Sequence, residues 1–251
     1  MNNLQEILLF PVRDAEARKQ FLFACLITLT GFIVPLIPMF ILMGYIAKIM
    51  RQIIEERKKP SMPDWQTSDY SDMFMDGLRV HGAQLIYYLP FMFIIVVGIL
   101  SMMSGTIAAS VSINENGQSF APVALPFIFI GMGIMMVLFV LLIPYSVIVS
   151  AVAPHVATTR SFTSAFQVTG WWAVFRKAAG QFILSYVIVM AVSWVLTFIM
   201  QFAMLTIILI CIVPLIMIPY TAYITLVSNV LYAQAYSTGI DNLTLEQHAS
   251  A

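Results

Sequence analysis

The chain has 251 residues, 61% of them apolar and only 10% charged, where a soluble domain carries roughly a quarter charged residues. Its formal net charge is zero, so it lacks the strong field that would mark nucleic acid as a partner. One small core cannot hide so much apolar surface, and the lipid bilayer is the expected solvent.

In chain order, the first twenty residues mix Glu6, Arg13, Asp14, Glu16, Arg18 and Lys19. The apolar run after them is too long for a signal-peptide core, so the segment is expected to stay in the mature protein. That first run, Phe21 to Ala47, holds Gly31, Pro35 and Pro38 in its middle. Each proline removes a backbone donor and clashes with the preceding turn, which argues against one straight helix. Next come Lys48 to Lys59. Arg51 and Glu55 are four apart, as are Glu55 and Lys59, a spacing that predicts a helix emerging into water and ended by Pro60 and Pro63.

Residues Asp64 to Gln84 predict a surface helix leading into the second span, with Ser68 or Ser71 as its cap. Asp69, Asp72 and Asp76 fall on one side at helical spacing, and Met73, Phe74 and Leu78 on the other. Acidic residues near a helix start are favoured by the macrodipole. The second run is Leu85 to Met103. From Gly105 to Pro122, the alternation of Ile107, Ala109, Val111 and Ile113 with the turn signal Asn116-Gly117 predicts a short strand or hairpin outside the bilayer.

The third run is Val123 to Ala153, with Pro144 in its later part. An amphipathic stretch, Ser161 to Val168, precedes Trp171, Trp172, Arg176 and Lys177, the residue types of a water–lipid boundary. The fourth run is Gln181 to Ala203 and the fifth is Ile207 to Ala235, which carries Pro214 and Pro219. A polar tail follows from Tyr236.

Positive residues flanking spans mark the cytoplasmic side. Segment 48–84 holds Lys48, Arg51, Arg57, Lys58, Lys59 and Arg79; segment 154–180 holds Arg160, Arg176 and Lys177; segment 105–122 holds none. The first two are therefore expected inside and the third outside. If the first run crosses once, Arg13, Arg18 and Lys19 lie outside. If it breaks at Pro35 and re-enters, all the basic residues lie inside. Ile143-Pro-Tyr-Ser146 in the third run matches Ile218-Pro-Tyr-Thr221 in the fifth. A parallel repeat of "surface helix, span out, span in" would produce that match, and so would chance. The expected fold is all-α: a single integral membrane domain over 1–251, a polytopic bundle of four to five spans with a proline-broken first segment and two cytoplasmic interfacial helices. Its expected location is the cell (inner) membrane.

Several segments together resemble one family. Pro11 with Arg13-Asp14 opens the series, and Gly44-Tyr45 leads into the basic helix. Met62-Pro63-Asp64-Trp65, Met73-Phe74-Met75-Asp76-Gly77-Leu78 and Ile86-Tyr87-Tyr88-Leu89-Pro90 follow. In order and spacing these resemble the bacterial and archaeal membrane proteins grouped as domain of unknown function 4013. Met62 stands where members more typically show leucine. The resemblance implies a polytopic membrane protein and supplies no catalytic residues.

The five runs contain no Asp, Glu, Lys, Arg or His. Ionisable groups at depth are the usual carriers of intramembrane chemistry, so no catalytic residue, cofactor or metal ligand is expected, and the chain is read as a non-enzyme. His81, His155 and His248 show no convergence of ligands. Cys25 and Cys211 lie within apolar runs and read as small hydrophobes. The pairs Met39 and Met43, Met132 and Met136, and Met200 and Met204 could pass a soft metal ion, or simply fill gaps between helices. Thr221, Thr225, Ser228 and Asn229 share a helix face; they could line a solute path or join helices by hydrogen bonds.

Two functions follow. The preferred one is a non-enzymatic scaffold, assembly or regulatory component that holds a protein partner or forms a homo-oligomer. Its partner-facing cytoplasmic surface would comprise Asp64, Trp65, Asp69, Asp72, Asp76 and Arg79. The alternative is a permease for a small neutral solute or a soft metal ion.

Overall fold

The computed structural model describes residues 4–31, 34, 36–65, 69–111, 121–204 and 213–250, and among them there is no strand. The elements are α1 (Leu4–Leu9), α2 (Ala15–Thr30), α3 (Ile37–Ile54), α4 (Tyr70–Val111) and α5 (Ala121–Val149). After them come α6 (Val152–Thr159), a 3-10 turn (Phe162–Phe166), α7 (Val168–Lys177), α8 (Ala179–Met204) and α9 (Val213–Ser250). Five segments are long and apolar enough to cross a membrane: Ile37–Ile54, Tyr70–Ala109, Ala124–Thr159, Ala179–Phe202 and Leu215–Ala249. The chain is a helical bundle of the membrane class. It divides into two compact units, one of residues 1–84 with 147–251 and one of residues 85–146.

In the larger unit the first apolar run is two helices. Asp14 caps α2, its carboxylate accepting from the Ala17 amide at 2.8 Å. The helix stops at Gly31; α3 restarts after Leu36, whose φ is 79°, with Pro38 in its first turn, where a missing N–H is harmless. At 16 residues, α2 is about 24 Å long, short of a bilayer's hydrocarbon core. The two helices pack on one another. Glu6, just before them, accepts from Arg13 at 3.2 Å and from Lys59, just after them, at 3.1 Å. Entry and exit of the pair therefore meet at one end, so that α2 and α3 form a helical hairpin. Protein covers the later part of α3, with Tyr45, Ile46, Ala47, Ile49 and Met50 fully buried, while Leu36, Ile37 and Met39 at its start are exposed.

The helix after this run is shorter than expected. It ends at Ile54, with Glu55 as its C-cap, not at Pro60. Arg57 takes a left-handed conformation (φ 54°) and forks onto Asp241 of α9 at 2.6 and 3.2 Å. That tertiary pair overrides the local Arg51–Glu55 and Glu55–Lys59 spacing. The central element is α9, which packs against α1, α2, α3, α6, α7 and α8 through buried Leu226, Val227, Val230 and Leu231. It is continuous through the expected polar tail to Ser250.

The smaller unit pairs the later part of α4 with α5. A Cβ on Gly105 would lie 2.8 Å from the Ala124 carbonyl oxygen, and one on Gly131 2.8 Å from that of Gly98, a small-residue packing suited to membranes. The tyrosine of the first Ile-Pro-Tyr sequence, Tyr145, donates to the Tyr87 carbonyl at 2.6 Å. The second, Tyr220, lies 3.5 Å from Thr197 in the helix preceding its own.

The expected strand is a correction. Residues 105–111 complete α4, and 121–122 begin α5; Ile113 and Asn116-Gly117 lie outside the described residues. The side packed on α5 runs Gly98, Ser101, Gly105, Ala108 at helical spacing, and this outweighs the alternation of the longer side chains. Ser68 also lies outside the described residues, and Ser71 falls inside the first turn of α4. The surface helix and the second span are one helix of 42 residues with Pro90 inside it.

Candidate functional site

The site begins with two glycines. A Cβ on Gly44 would lie 1.7 Å from the Met73 carbonyl oxygen, and a Cβ on Gly77 1.7 Å from that of Phe40. The backbones of α3 and the start of α4 touch there, which explains the Gly44-Tyr45 and Asp76-Gly77 pairs of the sequence. That contact turns the face bearing Met73, Asp76, Gly77 and Val80 toward α3. Here the surface-helix reading is corrected for Asp76 alone, since Asp72 is exposed. Asp76 is buried while Leu78, assigned to the opposite apolar side, is exposed. The cause is charge pairing: Arg51 of α3 reaches Asp76 at 2.6 Å and Arg79 reaches it at 3.1 Å.

Around this pair lies a cleft of about 480 Å³. Lys48 joins Asp69 across it at 3.0 Å. Arg160, which ends α6 in a left-handed conformation (φ 49°), adds a further cation to the rim. Arg51 also donates to the Ala157 carbonyl at 3.3 Å, tying α6 to α3. Three exposed rim groups, Glu55, Asp72 and Arg160, make no ion pair among the described residues, and the Gln52 Oε1 atom is buried without a hydrogen-bond donor. The cleft thus combines a locked interior with open charges of both signs.

Of the predicted surface residues, Asp69, Asp72, Asp76 and Arg79 meet in this cleft. Asp64 and Trp65 do not; they close the α2–α3 hairpin. Trp65 stacks on Tyr45 with ring centroids 3.9 Å apart and planes 8° from parallel. Its Nε1 donates to the Gln20 carbonyl at 3.1 Å, and the Gln20 amide donates to Asp64 at 2.8 Å. Tyr45 donates to the Pro63 carbonyl at 2.7 Å. The Met62-Pro63-Asp64-Trp65 sequence is therefore a clamp across α2 and α3. Sequence reasoning missed Gln20, Lys48, Arg51 and Arg160 as members of these sites. The only signal was an unusual glutamine at the edge of an apolar run and the basic residues on α3.

The donors of the predicted polar face on α9 bond to carbonyls of their own helix. Thr221 donates to Met217, Thr225 to Thr221, Ser228 to Thr225, and Asn229 to Thr225, at 2.7–3.1 Å. Asn229 is buried. His155 pairs with the buried Tyr236 hydroxyl at 2.6 Å. Among the described residues no three His, Cys, Asp or Glu side chains gather at metal-holding distance. Met43 and Met200 are buried, while Met39, Met132 and Met136 are exposed; Cys25 is half-buried.

A family model described as a protein of unknown function (DUF4013) matches residues 27–206, a stretch that contains α3, the cleft on α4 and the clamp at Trp65. No curated protein and no solved structure matches the chain. With well over half its length matched, the chain belongs to the DUF4013 family.

Proposed function

We propose that this chain is a non-enzymatic component of a membrane assembly, and that it holds a protein partner at the α3–α4 cleft. The observation that carries the reading is the contrast within the cleft. Asp76, Arg51 and Lys48 are engaged in internal ion pairs, while Glu55, Asp72 and Arg160 stand open on the rim. Exposed charges of both signs around a rigid, buried ion pair favour steering and register of a polar partner segment.

The permease alternative has less support. The hydroxyls of the α9 face and the Asn229 amide N–H donate to their own helix, and the 600 Å³ groove beside it is lined by apolar side chains such as Val192, Leu196, Ile199 and Ile216. In this reading the protein lies in the cell membrane, with the cleft on the cytoplasmic side by the excess of basic residues in segments 48–84 and 154–180.

The test is purification in mild detergent of the wild-type chain and of a Glu55→Gln, Asp72→Asn, Arg160→Gln variant. Mass spectrometry is expected to find a stoichiometric partner with the wild type that is lost from the variant. Recovery of both proteins alone, together with solute flux in liposomes, would transfer the case to the permease.

A further inference from the structure

A small pocket of mixed charge lies at the start of α2. Arg13, Asp14, Glu16 and Ser61 line it together with the buried Phe10 and Met62, and its volume is about 210 Å³. Arg13 is joined there by a second base. Its guanidinium and the Lys59 ammonium reach the same oxygen of Glu6, at 3.2 and 3.1 Å, so two cations share one carboxylate. The Glu6 side chain is 18% exposed, that of Arg13 57% and that of Lys59 76%. The anion is held inside and the bases face outward, with Nη2 and Nε of Arg13 unpaired among the described residues. Asp14 and Glu16 each keep one oxygen open. The other accepts from the Ala17 amide in Asp14, and from Lys19 and Gln20 in Glu16.

The depth of this pocket follows from its neighbours. Glu6 lines a cleft with Gln234, Ser237 and Thr238 of α9, at the point where the fifth apolar run ends with Ala235. That is the level of lipid headgroups. Ala17 lines the pocket, and Phe21, one helical turn on, lines the apolar groove with Val192, Leu196 and Tyr223, about 6 Å deeper. Tyr223 also donates to the Leu8 carbonyl at 3.0 Å, which joins the edge of the groove to the segment that carries Phe10. Residues 85–146 and 205–212 hold one charged side chain between them, Glu115. Neither segment can therefore bring an acid to the two bases and a base to the two carboxylates. The occupant needs an anion for Arg13 and Lys59, an N–H cation for Asp14 and Glu16, and an apolar tail. Charge-assisted hydrogen bonds of this kind are the strong ones, and bases already pinned by Glu6 lose less freedom on binding. A phosphate diester beside a primary ammonium meets all three needs. Choline has no N–H to donate, and a glycerol headgroup has no cation.

We propose that this pocket binds the headgroup of an ethanolamine phospholipid. Its phosphate sits on Arg13 and Lys59, its ammonium on Asp14 and Glu16, and its acyl chains follow the groove that begins at Phe21. The site is separate from the α3–α4 cleft, so it stands or falls independently of the partner proposed there.

Native mass spectrometry tests it, with the full chain stripped of lipid in detergent and offered dioleoyl phosphatidylethanolamine, phosphatidylcholine or phosphatidylglycerol one at a time. The ethanolamine lipid is expected to bind about tenfold more tightly than either of the others, the effect of one missing hydrogen bond between charged groups. An Asp14→Asn, Glu16→Gln variant keeps a capping side chain at the start of α2 and should bind the ethanolamine and choline lipids equally. Lys59→Gln, at an exposed position, should weaken both of these lipids alike. Water-soluble glycerophosphoethanolamine, at the concentration of the lipid, is expected not to compete. Equal binding of the three lipids by the wild type, or preference for the glycerol lipid, would overturn the proposal. So would an ethanolamine preference that survives in the Asp14→Asn, Glu16→Gln variant, or competition by the soluble headgroup. The wild-type ranking needs no variant, so it decides the matter even where a substitution disturbs folding.

Discussion

Gly77 occupies a point where any side chain would have to share space with the Phe40 carbonyl. Overpacking a tight contact costs typically 1–3 kcal/mol and sometimes more, and a backbone atom cannot rotate away. Gly77→Ala is expected to cost about 3 kcal/mol, read as a fall in thermal midpoint in detergent, and Gly44→Ala should match it. Asp76 poses a different problem, since removing its charge strands the mostly buried Arg51 guanidinium. Asp76→Asn is expected to destabilise by about 3 kcal/mol. Pairing Arg51→Leu with Asp76→Leu should recover most of that loss, a result a double-mutant cycle would register as strong coupling. Neither role was legible in the sequence. The three aspartates at helical spacing read as a solvated, dipole-favoured start, and only the partner on α3 reveals that Asp76 points inward.

Among the elements, the α2–α3 pair rests on one platform. Trp65 contributes a stacked ring to Tyr45 and a hydrogen bond to Gln20, so it joins α2 and α3 at once. Trp65→Ala is expected to lose about 3 kcal/mol, whereas Trp65→Phe should lose only about 1 kcal/mol, that of the hydrogen bond. Protease sensitivity of the α2–α3 segment, compared between the two variants, is the check. Here the sequence spoke more clearly. Gly31 and Pro38 marked the break in the first run, and the positions of the apolar runs matched the long helices. The misplaced boundaries have a common cause. The end of α3 at Ile54, the helical tail after Tyr236 and the helical residues 105–111 are all set by contacts with distant elements. Arg57 on Asp241, Asn242 on the end of α7 and Gly105 on α5 decide them. Local spacing carries no record of such partners.

For the whole molecule, the shared Glu6 contacts of Arg13 and Lys59 put both ends of the first apolar run together. Cysteines replacing Arg13, Lys58 and Glu246 are accordingly expected to react with an impermeant maleimide from the same side of the membrane. One replacing Asn116 should react from the other. Labelling of positions 13 and 58 from opposite sides would establish a full crossing instead. Both topologies were open in the sequence, because the length of Phe21–Ala47 suits a single span and the distribution of basic residues suits a return.

The helix on which six others lean, α9, is made after all of them. Until residues 213–250 leave the ribosome, the surfaces of α2, α3, α6, α7 and α8 that face it have no neighbour. Arg57 and Lys177 likewise lack Asp241 and Glu246. Domains that complete themselves during synthesis avoid such waiting intervals; this one cannot. Its larger unit must enter the membrane as a set of loosely held parts and close only once α9 has followed them. A chain halted before residue 213 is therefore expected to be inserted yet remain a target for membrane quality control, and pulse-chase turnover against the full-length protein would expose the difference.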